Sequence, residues 1–265
     1  MGSFRTVELS DNRYENDGLR FMTVKTDNLK GRGNLCLYVP KIPEGNSELP
    51  IHLLLHGVYG SSWSWALNGG VHKTAKRLMD SGKIKPVILA MPSDGLWGDG
   101  SAYHNHNSKN FANWIVQDVP KAIKENIPEA GKNSSLCIAG LSMGGYGALH
   151  LGAAHPLKFK AISAHSAITS FEDMQGFVEE PLASYGLGNI HKNVIEGITA
   201  NKSKMPPLRF DCGIKDSLLS SNRNLHEELL KLNLHHVYEE FDGGHNWSYW
   251  QKHVERTLRF FNDHV

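Results

Sequence analysis

The pentapeptide Gly140-Leu141-Ser142-Met143-Gly144 is the part of the sequence whose residue types and spacing most directly suggest chemistry. It has the G-x-S-x-G form of a nucleophile elbow, a sharp strand-to-helix turn that holds a serine in a strained conformation. A random chain of this length contains the pattern about once in ten cases, so the pattern alone is weak. Here it follows an apolar run and opens a helical stretch. This context favours Ser142 as a nucleophile over the alternative, a helix N-cap.

A serine hydroxyl needs a base to take its proton, and a histidine held by a carboxylate can serve. Where an elbow carries the serine, the acid and then the histidine follow along the chain. His245 ends the stretch Asp242-Gly243-Gly244-His245, between an apolar run and the last predicted helix. The glycines would let this loop reach over the carboxyl edge of a sheet, where ligands bind. We therefore predict His245 as the base, the alternative being a solvated loop histidine.

The acid is expected between the serine and the histidine. Asp216 follows the apolar run Leu208–Cys212 after a short turn, which places it at the same sheet edge. We predict Asp216 as the acid, although it could instead cap the next helix. Asp242, in the loop of the histidine, and Asp211, within the strand, are the alternatives.

Attack on a carbonyl creates an oxyanion that preorganised N–H groups must stabilise. The N–H after the nucleophile, that of Met143, is one expected donor. The second should come from the loop that follows the strand Ile51–Leu55, and we predict Val58, with Tyr59 as the alternative. Aromatic residues near these loops are predicted to bind substrate, although they could equally fill the core: Tyr59, Trp65, Trp97 and Trp247.

Short apolar runs that alternate with helical stretches predict a sheet that positions these residues. The predicted strands are Phe4–Leu9, Leu19–Thr26, Asn34–Val39, Ile51–Leu55, Pro86–Met91, Ser135–Ala139, Phe159–Ala164, Leu208–Cys212 and His236–Phe241. The predicted helices are Val71–Asp80, Phe111–Asn126, Met143–His155, Leu218–Leu232 and Trp247–His264, with a kink at Pro120. The pattern indicates an α/β fold with a mostly parallel sheet, helices on both faces and an N-terminal antiparallel region.

Residues 166–206 break this alternation. We expect a single domain over residues 1–265. Because long irregular insertions are usually functional, we expect residues 166–206 to form a lid or a pocket wall. Its residues Phe171, Met174, Phe177 and Tyr185 are predicted to wall one side of a pocket.

Composition excludes several classes of function. The chain has 28 Lys and Arg against 27 Asp and Glu, a net charge of +1 that provides no basic surface for nucleic acid or an acidic membrane. No apolar run approaches the roughly 20 residues of a membrane span, and residues 1–15 lack the apolar stretch of a secretory signal. Three cysteines without a C-x-x-C pair favour a cytoplasmic location, or secretion if a signal peptide has been removed.

We expect no cofactor and no metal. The sequence contains neither a Walker pattern nor a G-x-G-x-x-G pattern. The pair His104 and His106 could imitate metal ligands, but no third ligand stands at a recognisable spacing.

Four segments together resemble the esterase family of α/β-hydrolases that includes esterase D, feruloyl esterases and antigen 85. They are LLLHGVYGSSWSW, IAGLSMGGYGAL, FDCGIKDSLL and FDGGHNWSYW. The resemblance places the nucleophile at Ser142, the acid at Asp216, the base at His245 and an oxyanion donor at Val58. It implies cofactor-free hydrolysis of short or aromatic acyl esters, such as acetyl or feruloyl esters of carbohydrates.

We therefore predict a serine carboxylesterase that acts on a small-molecule ester through an acyl-enzyme. An acyltransferase that uses the same three residues, and a ligand-binding α/β-hydrolase with little turnover, are the alternatives.

Overall fold

A central sheet of nine strands organises the part of the chain that the computed structural model describes, residues 4–41, 48–187 and 193–265. The strands, including those of a separate hairpin formed by β6 and β7, are β1 (Thr6–Leu9), β2 (Leu19–Thr26), β3 (Gly31–Tyr38), β4 (Ile51–Leu55), β5 (Ile88–Pro92), β6 (Asn105–His106), β7 (Lys109–Asn110), β8 (Leu136–Leu141), β9 (Ile162–His165), β10 (Leu208–Gly213) and β11 (Val237–Phe241). The helices are α1 (Ser64–Leu67), α2 (Val71–Asp80), α3 (Phe111–Asn113), α4 (Val119–Asn126), α5 (Met143–Ala154), α6 (Val194–Ala200), α7 (Leu219–Lys231) and α8 (Trp247–Asn262). Every predicted strand and helix overlaps one of these elements.

The strand order of the sheet is β1-β2-β3-β5-β4-β8-β9-β10-β11. The first three strands run antiparallel to their neighbours, including β3 against β5. All later neighbours, from β5 to β11, are parallel. The predicted α/β class, with its mostly parallel sheet and antiparallel N-terminal region, is confirmed. The carboxyl ends of β4, β8, β10 and β11 therefore lie at one edge of the sheet, where open α/β sheets bind ligands.

Helices cover both faces of the sheet. In β4, Leu53 and Leu55 belong to a core shared with α4, α5 and α7, whereas Leu54 belongs to the core shared with α2 and α8. Because successive strand side chains point to opposite faces, a strand between two cores needs apolar side chains at most of its positions. This requirement explains the continuous apolar runs of the sequence.

The segment predicted as one helix over 111–126 is interrupted. α3 and α4 flank a π-helical turn at Trp114–Asp118, and Pro120 is the second residue of α4. Proline has no N–H for the carbonyl of Val116, four residues earlier. The Lys158 ammonium donates to that carbonyl instead, at 2.6 Å. A kink or a new turn was expected at Pro120, and the structure instead changes helix type just before it. The side chain of Lys158, from a distant segment, satisfies the carbonyl that the proline leaves free.

The predicted insertion consists mainly of short helical turns. It contains 3₁₀ turns at Phe171–Gly176, Leu182–Tyr185 and Lys202–Lys204, together with α6. Residues 188–192 of the insertion lie outside the described residues. Across the described ranges, no helix combines the length and the apolar character needed to cross a bilayer.

Candidate active site

Ser142 occupies the sharp turn between β8 and α5. Its backbone lies at φ 53° and ψ −121°, a conformation that is rare for a residue with a side chain. A methyl group on Gly140 would stand 2.1 Å from the carbonyl oxygen of Gly144, and one on Gly144 would stand 2.3 Å from the carbonyl oxygen of Leu55. Only glycine fits at either position, so both glycines of the pentapeptide are needed for the chain to turn this sharply.

His245 and Asp216 lie in line with Ser142. The Ser142 Oγ atom is 2.9 Å from His245 Nε2, and both carboxylate oxygens of Asp216 are 3.0 Å from His245 Nδ1. A carboxylate only accepts hydrogen bonds, so Nδ1 carries the proton and Nε2 is free to accept from the serine hydroxyl. The three residues come from three loops at the carboxyl edge of the sheet, after β8, β10 and β11.

The Asp216 carboxylate is buried and held by several donors. Burial alone would raise its pKa, but hydrogen bonds from His245 and the Leu218 N–H, together with the charge of His245, outweigh burial and hold the pKa below its usual value. The carboxylate therefore stays ionised at neutral pH, as a group that stabilises an imidazolium must.

The two alternative acids have other partners. Asp242 is exposed and pairs with Lys215 at 2.7 Å. Asp211 is completely buried and lies 2.9 Å from His165 and 2.8 Å from Arg209. Burial would raise the pKa of Asp211, but His165, Arg209 and Tyr249 lower it to about 2. Of the three candidates, only Asp216 contacts His245.

The loop after β4 brings backbone N–H groups close to the serine. A methyl group on Gly57 would stand 3.2 Å from Ser142 Cβ, which shows how closely the two segments approach. The N–H of Tyr59, the alternative donor, is already bonded to the Asp99 carbonyl at 2.8 Å. Val58 is left as the candidate donor from this loop, opposite the Met143 N–H at the start of α5.

His56 fixes the orientation of the Gly57–Val58 peptide. Its Nε2 accepts from the Asp94 N–H at 3.1 Å, so Nδ1 carries the proton and donates to the Gly57 carbonyl at 2.7 Å. In a trans peptide the carbonyl and the following N–H point in opposite directions. Holding the Gly57 carbonyl on the His56 ring therefore turns the Val58 N–H away from that ring. His56 was not predicted as a functional residue from the sequence, although a His-Gly pair directly after an apolar strand was a signal that could have indicated it.

Comparison with known proteins identifies the family to which the chain belongs. A model of the family described as "Putative esterase" matches residues 26–261, which is most of the chain. The chain belongs to this esterase family. It is a carboxylic ester hydrolase, as the sequence predicted.

Individual relatives agree with the family assignment. An acetyl esterase of Caldicellulosiruptor saccharolyticus is 25% identical over 228 residues, 79% of this chain and 82% of the relative. A solved ferulic acid esterase superposes with a TM-score of 0.81 at 23% identity, over 99% of this chain and 100% of the other. The S-formylglutathione hydrolase FrmB of Staphylococcus aureus gives a TM-score of 0.78 at 16% identity, over 96% and 99%. These superpositions show that the esterase has the predicted α/β-hydrolase fold.

The aromatic residues predicted to bind substrate occupy different environments. Tyr59 is 67% exposed, whereas Trp65 is only 1% exposed and donates its indole N–H to the Leu55 carbonyl at 2.9 Å. The prediction for Trp65 is therefore wrong, because its ring fills the core beneath the loop. Trp97 packs edge-on against Tyr185, at 4.6 Å between ring centroids. Trp247, half-buried at the start of α8, packs edge-on against Trp65 at 5.7 Å.

One residue of the insertion reaches His245. The ring of Phe177 lies 5.3 Å from the ring of His245, and its carbonyl accepts the Tyr59 hydroxyl at 2.6 Å. The carboxylate of Asp99 accepts the Glu179 N–H at 2.7 Å. Phe171, Met174 and Tyr185, also predicted as pocket wall, are buried in the core instead.

The His104 and His106 pair is engaged in packing. His104 Nε2 lies 2.8 Å from the Tyr146 hydroxyl, and its ring stacks on His150 at 4.1 Å. His106 Nε2 lies 3.1 Å from the Ser101 carbonyl. Within the described residues, no cluster of three or more His, Cys, Asp or Glu side chains could hold a metal ion.

Proposed function

We propose that the esterase is a serine carboxylesterase in which Ser142 forms an acyl-enzyme. The observation that carries the proposal is the continuous hydrogen-bonded line from Ser142 through His245 to Asp216. His245 takes the serine proton as the oxygen attacks the ester carbonyl. Asp216 fixes the tautomer and stabilises the imidazolium that forms.

The N–H groups of Val58 and Met143 are assigned to the oxyanion. Both flank the serine, and the Met143 N–H belongs to the first turn of α5, where the helix dipole favours negative charge. Collapse of the tetrahedral intermediate passes the proton from His245 to the leaving alcohol. Water, activated by the same histidine, then releases the acid and restores Ser142.

We propose short or aromatic acyl groups as substrates. Phe177 and Tyr59 place aromatic rings at the mouth of the site, where they could stack against an aromatic acyl group. Phe171, Met174 and Tyr185 use their apolar surface in core packing rather than in a groove for a long chain. The acetyl esterase and ferulic acid esterase among the similar proteins agree with this range.

Trapping the acyl-enzyme tests the reaction. After rapid quenching with p-nitrophenyl acetate, mass spectrometry should find the acetyl group on the peptide that contains Ser142, and a fluorophosphonate should label the same residue. Ser142→Ala should lose turnover by a factor on the order of thousands or more. Ser217→Ala, at an exposed serine beside the acid, is the matched control. Labelling elsewhere, or near-normal turnover of Ser142→Ala, would contradict the mechanism.

Rates on acetyl, butyryl, feruloyl and lauroyl esters test the substrate range. We expect the lauroyl ester to be the poorest of the four. Phe177→Ala should raise the KM for the feruloyl ester more than the KM for the acetyl ester, since it removes a stacking surface. A preference for the lauroyl ester would refute the proposed range while leaving the serine mechanism intact.

A further inference from the structure

Residues 177–180 of the insertion are held at the mouth of the site by two loops from elsewhere in the chain. One partner is Tyr59, in the loop after β4, whose hydroxyl donates to the Phe177 carbonyl at 2.6 Å. The other is Asp99, in the loop after β5, whose carboxylate accepts the Glu179 N–H at 2.7 Å. No step of the proposed reaction uses this hydroxyl or this carboxylate.

Asp99 links all three segments through its backbone as well as its side chain. Its carbonyl accepts the Tyr59 N–H at 2.8 Å, and its N–H donates to Glu180 Oε1 at 3.0 Å. Together with the contacts of Phe177 and Glu179, these bonds form a closed network that returns to Tyr59. In a closed network each bond limits the movement of the others, so the three segments are expected to move as one unit.

Tyr59 adopts a backbone conformation that packing alone does not explain. Its φ is 57°, in the left-handed region that is unfavourable for a residue with a side chain. The side chain is 67% exposed, so burial contributes little to offset this cost. The N–H and the hydroxyl of Tyr59 both have partners in the closed network. These contacts hold the residue in place and point to a use for the hydroxyl.

The closed network holds Phe177 beside His245. The two rings lie 5.3 Å apart, and the Phe177 ring is only partly buried. Val178, the next residue, is buried in the core, so the segment is anchored on one side. The bonds to Tyr59 and Asp99 are the other anchor. Without them, each substrate would have to order the Phe177 ring as it binds, at a cost in affinity.

We propose that Asp99 and the Tyr59 hydroxyl are positioning groups for substrate specificity, which hold Phe177 ready to stack against an aromatic acyl group. The inference rests on the proposed function, both the serine mechanism and the aromatic part of its substrate range. A ring that is already fixed stacks without a further loss of side-chain freedom. An acetyl group has no ring to stack, so the same bonds matter less for an acetyl ester.

Two variants of Asp99 separate its hydrogen bond from its charge. Asp99→Ala removes the acceptor of the Glu179 N–H, whereas Asp99→Asn keeps a side-chain oxygen that can accept it. We expect Asp99→Ala to raise the KM for the feruloyl ester about fivefold more than the KM for the acetyl ester. Asp99→Asn should stay within roughly twofold of the wild-type ratio of these KM values. A residue that only supported the fold would change both KM values together, and asparagine would not restore their ratio.

Tyr59→Phe tests the other bond and keeps the aromatic ring. It removes the hydroxyl that binds the Phe177 carbonyl, and it should raise the same KM ratio about threefold. Glu179→Ala is the matched control, because it keeps the backbone N–H that Asp99 binds and removes only an exposed side chain. Its KM ratio should follow that of the wild type.

Hydrogen–deuterium exchange reports on the closed network without any substrate. The peptide that contains residues 177–180 should exchange faster in Asp99→Ala than in the wild type, since the Glu179 N–H has lost its acceptor. Asp99→Asn should exchange at nearly the wild-type rate. If Asp99→Ala does not fold, Tyr59→Phe provides both readouts. An unchanged exchange rate in the folded variant overturns the inference.

Phe177→Ala distinguishes failure of this inference from failure of the proposed function. If Phe177→Ala raises the feruloyl KM selectively but folded Asp99→Ala and Tyr59→Phe do not, the inference is overturned and the proposed range stands. If Phe177→Ala has no selective effect, the proposed aromatic range fails and this inference fails with it. A wild type that a fluorophosphonate does not label at Ser142 refutes the serine mechanism, and this inference with it.

Discussion

Asp242 is close to His245 along the chain, and Asp216 is close to it across the sheet edge. Their surroundings differ completely. Asp216 is buried and receives the His245 Nδ1–H, whereas Asp242 is exposed and pairs with Lys215. A carboxylate in water with a lysine partner contributes little to fixing an imidazole, because solvent screens its charge.

Substitution by asparagine therefore separates the two acids. Asp216→Asn should lower kcat about ten-thousandfold, as loss of the triad acid does in serine proteases, because an amide can stabilise the wrong tautomer of His245. Asp242→Asn should leave kcat within roughly twofold of wild type, in line with its exposed pair. Circular dichroism should first show that both variants are folded. Steady-state kinetics on p-nitrophenyl acetate then show which of the two aspartates acts as the acid. Collapse of activity in Asp242→Asn alone would move the acid to the histidine's own loop.

Residue types and chain order were sufficient to select Ser142, His245 and Asp216, three side chains that the structure brings within hydrogen-bonding distance of one another. They were insufficient for Trp65. A tryptophan at this distance after the Ile51–Leu55 strand can either fill the core or line a pocket, and its position in the sequence does not distinguish the two. They were also insufficient for His56, whose position depends on the Asp94 N–H, a contact across 38 residues. Only the fold creates that contact.

His52 and His56 provide a second test at this scale. Both are buried in or beside β4. His56 holds the Gly57 carbonyl, whereas neither ring nitrogen of His52 has a hydrogen-bond partner among the residues that the structure describes. His56→Leu should lower kcat by roughly tenfold to a hundredfold. This loss is at most that caused by removing one oxyanion donor outright. His52→Leu should retain kcat and melt at the same or a higher temperature, because it removes a buried polar ring without hydrogen bonds. Equal kcat in the two variants would remove His56 from the oxyanion loop.

At the scale of elements, strand and helix identities were predictable and their ends were less so. β3 begins at Gly31, three residues before the predicted start at Asn34, because Gly31 pairs with Thr26 of β2. Pairing with a neighbour, rather than apolar character, extends that strand. The insertion was recognisable only as a break in the alternation, since the 3₁₀ turns that build it have no marked periodicity.

Two helical glycines test how close packing limits an element. Alanine at Gly147 of α5 would place a methyl group 2.5 Å from the ring of Tyr103. That ring is held in place because its hydroxyl donates to the His56 carbonyl. Gly147→Ala should therefore lower the free energy of unfolding by about 1–3 kcal/mol. At Gly197 of α6 the nearest atom to the new methyl group would be 3.7 Å away. Gly197→Ala should therefore raise the free energy of unfolding by up to about 1 kcal/mol. Urea unfolding of both variants is the measurement, and stabilisation by Gly147→Ala would contradict the packing described for α5.

At the scale of the whole molecule, one buried polar network ties the sheet to its last helix. Asp211 of β10 contacts His165 of β9, Arg209 of its own strand and the Tyr249 hydroxyl of α8. Arg209 in turn reaches Glu239 of β11 at 2.8 Å. The network lies beneath the loops that carry Asp216 and His245. From the sequence, Asp211 was only an alternative acid, because nothing in a single strand reveals which charged groups its neighbours bring.

This network predicts how stability depends on pH. The pKa of Asp211 is about 2 in the fold against a usual 3.8, so its ionised form stabilises the native state at every pH above 3.8. That stabilisation is lost as the pH falls from 3.8 through about 2. Asp211→Asn lacks it at all pH values and leaves the buried Arg209 short of an anion, which should cost about 3 kcal/mol at neutral pH.

Guanidinium unfolding of wild type and Asp211→Asn across this range is the corresponding experiment. The difference in the free energy of unfolding should be largest at neutral pH and should narrow below pH 3.8, because protonation then removes the same charge from the wild type. Asp242→Asn is the matched control, since its carboxylate is also lowered in pKa by Lys215 but lies in solvent. Its unfolding free energy should follow that of the wild type throughout, because solvent screens an exposed pair. A difference for Asp211→Asn that stays constant with pH would mean that packing of the side chain, rather than its charge, holds β9, β10 and α8 together.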